Sequence, residues 1–182
     1  MGDFKPSAEL KPRLPAAILA GIQNHRLVDR ETDAMTEVKA LRQLFSPARR
    51  RFAGIITDVA FDYYLIKHWP TFAKVDFDEF VDVSYDGLAS CREYMPDRMQ
   101  MVVDNLQKHD WLRAYADLDG IGQTLDMLSK RFRFKNSLTG SVEEVTKNYA
   151  EIESVFLVLF KHLQAVVAEA EIEKTVPSKG IF

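Results

Sequence analysis

Apolar positions recur along this chain at helical spacing, with no stretch of alternating β-branched residues bounded by hairpin turns. Pro15 suits a first helical turn and opens a helix that runs through His25 to about Glu31. A shorter helix covers Glu37 to Phe45. Ser46-Pro47 reads as a cap followed by a first-turn proline, starting a long helix from Ala48 to Trp69 that Pro70 stops. Asp76 caps the next helix, DFDEFVDVSYDGLASCREYM, and Pro96 opens another that reaches about Gln107. A further helix spans Asp119 to Phe132. Ser141-Val-Glu-Glu144 has the spacing of a capping box, and the last helix runs from it to about Lys174 with Val155, Leu159, Leu163 and Val166 in one stripe. The pattern predicts an all-α, single-domain helical bundle over residues 1–175 and a loose tail at 176–182.

Composition narrows the class. The chain has 182 residues, enough for a sizeable core, and is 47% hydrophobic and 28% charged, which excludes a disordered polymer. Its net charge of −3 comes from 24 Lys and Arg against 27 Asp and Glu. Neither half is a basic arm or an acidic tail, so no nucleic-acid partner is expected. Cys91 is the only cysteine, which excludes an intrachain disulfide and fits a reducing compartment. The first residues, MGDFKPSAELKPRLP, lack the apolar run of a signal peptide. The most apolar stretch, VFLVLFKHLQAVVA at 155–168, is short and carries Lys161 and His162, so no membrane span is expected and a cytoplasmic location is.

The chain has no P-loop, no GxGxxG, no HExxH and no GxSxG, and it lacks the Glu-x-x-His pairs of a di-iron bundle. What remains is ionisable groups at helical spacing. His25, Asp29 and Asp33 are four apart and share one stripe, with Arg26 and Arg30 on the stripe beside it. Asp58 and Asp62 repeat the spacing within an apolar run of Ile55, Ile56, Val59, Ala60, Phe61, Leu65 and Ile66. His25 with Asp29 also reads as an ordinary helix-surface pair. Asp58 and Asp62 repel each other on an apolar helix and need a compensating cation. Arg26 is one candidate for that cation; a divalent ion held by carboxylates and a neutral imidazole is the other. His109-Asp110 reads as a helix end with Asp110 capping the next turn, His68 as a helix-terminal group, and His162 as structural or exposed.

Four segments together resemble the acyl carrier protein phosphodiesterases, also called acyl carrier protein hydrolases. They are GDF at 2–4, GIQNHRLVDRETD at 21–33, RRFAGIITDVAFDYYLIKHW at 50–69 and WLRAYADLDGI at 111–121. The resemblance extends over nearly the whole chain, and its most specific part is His-Arg-x-Val-Asp-x-x-Thr-Asp followed by Asp-x-x-Phe-Asp-x-x-Leu-x-x-His-Trp. Members of that family ordinarily begin with a helix before the Gly-Asp pair, whereas this sequence starts at Met1-Gly2-Asp3, so the resemblance implies that the family's N-terminal helix is missing here. It also implies a divergent relation to the HD-domain phosphohydrolases and a divalent metal, Mn2+ with Mg2+ as the alternative.

By matching positions, the resemblance makes Asp3, His25, Asp29 and Asp58 metal ligands, Asp62 a further ligand or neighbouring catalytic group, and Arg26 a phosphate contact. The implied reaction is hydrolysis of the bond joining 4′-phosphopantetheine to a serine of holo acyl carrier protein. Carrier proteins are small and acidic, so the basic clusters Arg49-Arg50-Arg51 and Lys130 to Lys135, with Arg131 and Arg133, are candidate docking residues. Two other readings stay open: a non-catalytic helical module that binds a carrier protein, and an HD-type hydrolase acting on another phosphodiester such as a nucleotide. The sequence says nothing of oligomeric state.

Overall fold

The computed structural model describes residues 11–173, and every regular element among them is helical. Ten α-helices follow one another: α1 (Ala16–Ala34), α2 (Thr36–Ala40), α3 (Ala53–Lys67), α4 (Trp69–Phe72), α5 (Phe77–Ser90), α6 (Asp97–Lys108), α7 (Trp111–Ala114), α8 (Leu118–Arg131), α9 (Val142–Lys147) and α10 (Tyr149–Ala170). Short 3-10 turns connect several of them. The expected all-α class is what the chain adopts. Asp3, any helix preceding it and the tail at 176–182 lie outside the described residues.

These elements gather into two compact units that are interleaved in sequence. The first takes residues 1–35, 84–109 and 159–182, and the second takes 36–83 and 110–158.

In the first unit, α1 buries Ala20, Ile22 and Leu27, Ala20 and Leu27 lying seven apart on one face and Ile22 on another. Met95, Met99 and Val103 form a second apolar cluster, against which Leu88 and Cys91 pack. Polar links supplement them: Asn24 Nδ2 donates to Glu173 Oε1 at 2.9 Å, and Glu31 Oε2 lies 3.2 Å from His162 Nε2.

The second unit is built around α3. Its buried residues, Ala53, Ile56, Thr57, Ala60, Phe61 and Tyr64, form one continuous stripe at i, i+3, i+4 and i+7. Ile121, Leu125, Leu138, Val145 and Ile152 are fully enclosed in the same unit. At the C-terminal end of α3, Glu153 Oε1 accepts from Lys67 Nζ at 2.6 Å and meets His68 Nε2 at 2.7 Å. These contacts hold the Lys67 side chain in its charged form and keep Glu153 below the usual carboxylate range, the Lys67 hydrogen bond being the main cause for Glu153. His68 is thereby a structural partner of α10.

Several boundaries differ from expectation for identifiable reasons. Ser46-Pro47 does not start a long helix; the chain makes a turn and a 3-10 segment there, and α3 begins at Ala53. The supposed capping box is not one. Ser141 makes no side-chain cap bond, and Glu144 instead accepts from the Ser46 backbone N–H at 2.9 Å and from Arg49 Nη1 at 2.9 Å. The last helix is accordingly broken at Asn148 into α9 and α10. Pro70 lies in the first turn of α4, after α3 has closed at His68. Asp110 adopts a left-handed conformation at φ 47° without a side-chain cap; its carboxylate lies 3.4 Å from Arg113 Nη1. Caps do form at Asp76, as expected, which accepts from the Asp78 N–H at 2.8 Å, and at Asp117, which accepts from the Gly120 N–H at 2.7 Å.

Gly120 is also a point of close approach. A Cβ there would lie 1.7 Å from the Ala114 carbonyl oxygen, a backbone atom, whereas one at Gly122 would meet only the Val142 Cγ1 at 3.0 Å. Gly120→Ala is expected to lower the unfolding free energy by about 2–4 kcal/mol, and Gly122→Ala by about 1 kcal/mol or less, because a side chain yields where backbone does not. Urea denaturation of the two variants beside the parent checks this, and equal midpoints would contradict the close approach.

Candidate active site

Helical periodicity places the sequence-identified groups as two sets, one in each unit. On α1 of the first unit, His25 and Asp29 are one turn apart and their Nε2 and Oδ2 atoms stand 3.3 Å from each other. Arg26, next to His25 along α1, is exposed. His25 also lines an apolar pocket of about 300 Å3, whose walls include Ile22, Leu88, Cys91, Met95 and Met99. The pocket was not legible in the sequence, because it is assembled from α1, α5 and α6.

On α3 of the second unit, Asp58 and Asp62 lie off the buried stripe and are reached by solvent, not sealed in the core as the apolar run suggested. Solvent access does not make Asp62 an ordinary surface carboxylate. Protein packed around it strips its carboxyl of water, and that desolvation, with the charge of Asp58 second, pushes its pKa up to about 7. Among the described residues the shift has no opposing contribution from a neighbouring base. Tyr115 belongs to the same environment: its hydroxyl is raised above its ordinary value first by burial and then by the negative charge of Asp62. Sequence reasoning passed over Tyr115, although it lies within the segment 111–121.

The donor types fit a hard divalent ion, since imidazole and carboxylate oxygens are the ligands such ions take. Two carboxylates one turn apart on α3, one of them poorly hydrated, are donors of the kind such an ion takes. Among the described residues, however, no three His, Cys, Asp or Glu side chains come close enough together to hold one. A complete site takes a further donor, and Asp3, which the resemblance names, is outside the described residues.

The basic clusters divide differently. Arg49 is a brace: it donates to Glu144 Oε1, Ser137 O and Thr139 O, each at 2.9 Å, and is removed from the docking candidates. Arg50 is half-buried, its Nε donating to Phe45 O at 3.1 Å. Arg51, Arg131 and Arg133 are exposed. No described helix is long and apolar enough to cross a membrane.

Comparison with known proteins agrees with the resemblance. The family profile described as acyl carrier protein phosphodiesterase matches residues 1–163. The acyl carrier protein phosphodiesterase of Serratia proteamaculans is 32% identical over 160 residues, covering 86% of this chain and 81% of that protein. The enzyme of the same name from Pectobacterium atrosepticum is 34% identical over 140 residues, covering 76% of this chain and 72% of its own. No solved structure matches. A helical chain carrying these histidine and aspartate stripes is a phosphoric diester hydrolase by kinship. It belongs to the acyl carrier protein phosphodiesterase family.

The raised pKa of Asp62 gives a stability signature. A carboxyl that titrates near 7 folded and near 3.8 in its unperturbed state binds more protons when folded, so its contribution is intact below about pH 4 and lost progressively as pH rises to about 7. Asp62→Asn in the presence of chelator is therefore expected to raise the melting temperature at pH 8 and leave it nearly unchanged at pH 4. Adding Mn2+ should shrink the difference at pH 8. A pH-independent effect of the substitution would contradict the assignment.

Proposed function

We propose that this chain hydrolyses the phosphodiester between 4′-phosphopantetheine and a serine of holo acyl carrier protein, giving apo carrier and free 4′-phosphopantetheine. The observation that carries the reading is the family match over residues 1–163, which spans both acidic stripes and His25 at the head of the first. The relatives' names supply the substrate class, and the environment of Asp62 supplies a reason for a cation.

A phosphodiester resists hydrolysis because its anion repels nucleophiles and a serine alkoxide leaves poorly. In this proposal the side chains that the family resemblance names as ligands hold a divalent ion, Mn2+ or Mg2+. Such an ion, when bound, lowers the pKa of a coordinated water and neutralises charge on the phosphoryl oxygens. Asp62, next to Asp58, adds a ligand or fixes the attacking water by accepting its hydrogen bond. Arg26, exposed beside His25, grips the non-bridging oxygens with a planar pair of donors whose attraction grows as charge accumulates. The apolar pocket at His25 offers room for the dimethyl-bearing pantetheine chain, which has little else to contact in water.

Mass spectrometry of holo acyl carrier protein incubated with the enzyme and Mn2+ tests the reading: the carrier is expected to lose its prosthetic group, and an unchanged mass would favour a non-catalytic carrier-binding module. Arg26→Ala is expected to lower kcat by about 10²- to 10³-fold while changing KM by less than about threefold, and Arg26→Lys to recover little of it. A mainly elevated KM would make Arg26 a substrate-binding residue instead. Metal analysis after chelation and Mn2+ reloading should show Asp58→Ala binding less metal than the parent.

A further inference from the structure

The two basic clusters, 80 residues apart in sequence, form one face. Arg51 Nη2 donates to the Lys135 carbonyl at 2.7 Å. Beside that bond, Phe52 stacks on Phe134 at 6.4 Å with their planes 12° apart, and Phe132 meets Phe134 at 5.1 Å. Segments 49–52 and 130–136 together carry seven Lys or Arg residues and no Asp or Glu. One of the seven, Arg49, is committed to the Glu144 brace, and Arg131 lies over the Trp111 ring at 5.6 Å.

Phe134 is at the centre and is 55% exposed. A large aromatic ring left in water usually belongs to a mobile loop, where exposure means little. Here the loop is pinned. Asn136 Nδ2 donates to Ser129 O at 2.9 Å, and its Oδ1 accepts from Ser129 Oγ at 2.7 Å and from the Leu138 N–H at 3.3 Å. With Arg51 fixing Lys135 from the other side, the backbone around Phe134 is tied at both ends. An exposed aromatic ring on a pinned loop, flanked in sequence by exposed Arg133 and Lys135 and tied to Arg51, has the anatomy of a binding anchor: an apolar centre, charged neighbours and little ordering entropy to lose.

We infer that Phe134, together with Arg51, Arg131, Arg133 and Lys135, is the anchor that docks the acidic surface of acyl carrier protein. These cations then steer an acidic partner toward a molecule whose overall charge is −3 and which would otherwise repel it. The same net charge disfavours a nucleic acid, whose backbone recruits basic proteins along its length. The inference rests on the proposed carrier-protein substrate but not on catalysis, and the two fail separately.

The test uses the full chain and apo acyl carrier protein, which lacks the scissile bond, so that binding is read without turnover. Phe134→Ala and Arg131→Glu are each expected to raise the dissociation constant about tenfold or more, with the electrostatic part fading as salt increases. Arg98→Glu, an exposed charge reversal in the other unit, should leave it unchanged and controls for net charge. Melting curves identify a variant that fails to fold, and Phe134→Leu, which retains an apolar group, should bind between the parent and Phe134→Ala. Unchanged affinity in both Phe134→Ala and Arg131→Glu overturns the inference, as does a single-stranded oligonucleotide displacing the carrier at comparable concentration. Docking without turnover of the holo carrier would overturn the catalytic reading and keep this one; turnover with unaltered carrier affinity in the face variants would do the reverse.

Discussion

Glu144 is the group on which the second unit's arrangement depends. Its two oxygens accept from a backbone N–H at Ser46 and a guanidinium at Arg49, and Arg49 in turn donates to the carbonyls of Ser137 and Thr139. These are charge-assisted bonds between half-buried partners, so removing the carboxylate leaves Arg49 and an inward-facing N–H without their acceptor, a loss of about 1–3 kcal/mol. The effect is not only stabilisation. The brace fastens the segment leading into α3 to the segment leading into α9, and the basic face is built on the residues immediately beside those two fastenings. Arg49 and Arg51 thus divide labour: one cation turns inward to hold the frame, and its near neighbour turns outward on it.

The same unit contains two opposite solutions to the problem of crowded aspartates. Asp78, Asp82 and Asp110 surround Arg113, whose guanidinium they hold firmly charged. That cluster has a cation at its centre. Asp58 and Asp62 form the open case, in which packing strips water from Asp62 and no described base answers it. Selection for stability alone would have put an arginine or an asparagine there. A poorly hydrated carboxyl such as Asp62 is a cost to folding that a functional role turns to use.

The sequence displayed its helices where the signals were local. Pro15, Asp76 and Pro96 stand one residue before the helices they announce, and the stripe of α3 is visible in its apolar spacing. The failures came where a side chain bonds across the chain. Ser141 and Glu144 have the spacing of a capping box, but Glu144 is drawn to Ser46 and Arg49, nearly a hundred positions upstream, a pairing that no spacing rule contains. Asp110 lacks the capping role assigned to it because it takes a left-handed turn beside Arg113. For the site, residue types and their stripes could be named, but not which arginines of a basic cluster turn inward, as Arg49 and Arg50 do. The pocket at His25, the desolvation of Asp62 and the exposure of Phe134 depend on which helices meet, which is information the one-dimensional pattern does not hold.

The interleaving of the two units bears on how the chain acquires its structure at all. The second unit needs residues 110–158 to complete what 36–83 begins, and the first still lacks its last strip until residues beyond 159 exist. On a ribosome, the opening helix therefore waits for residues 84–109 to meet its first partners and for residues beyond 159 to meet its last, with part of its apolar face exposed in the meantime. Closing such distant segments makes folding slower than the helical content suggests. It also means that neither unit corresponds to a continuous fragment that proteolysis or gene truncation could release whole.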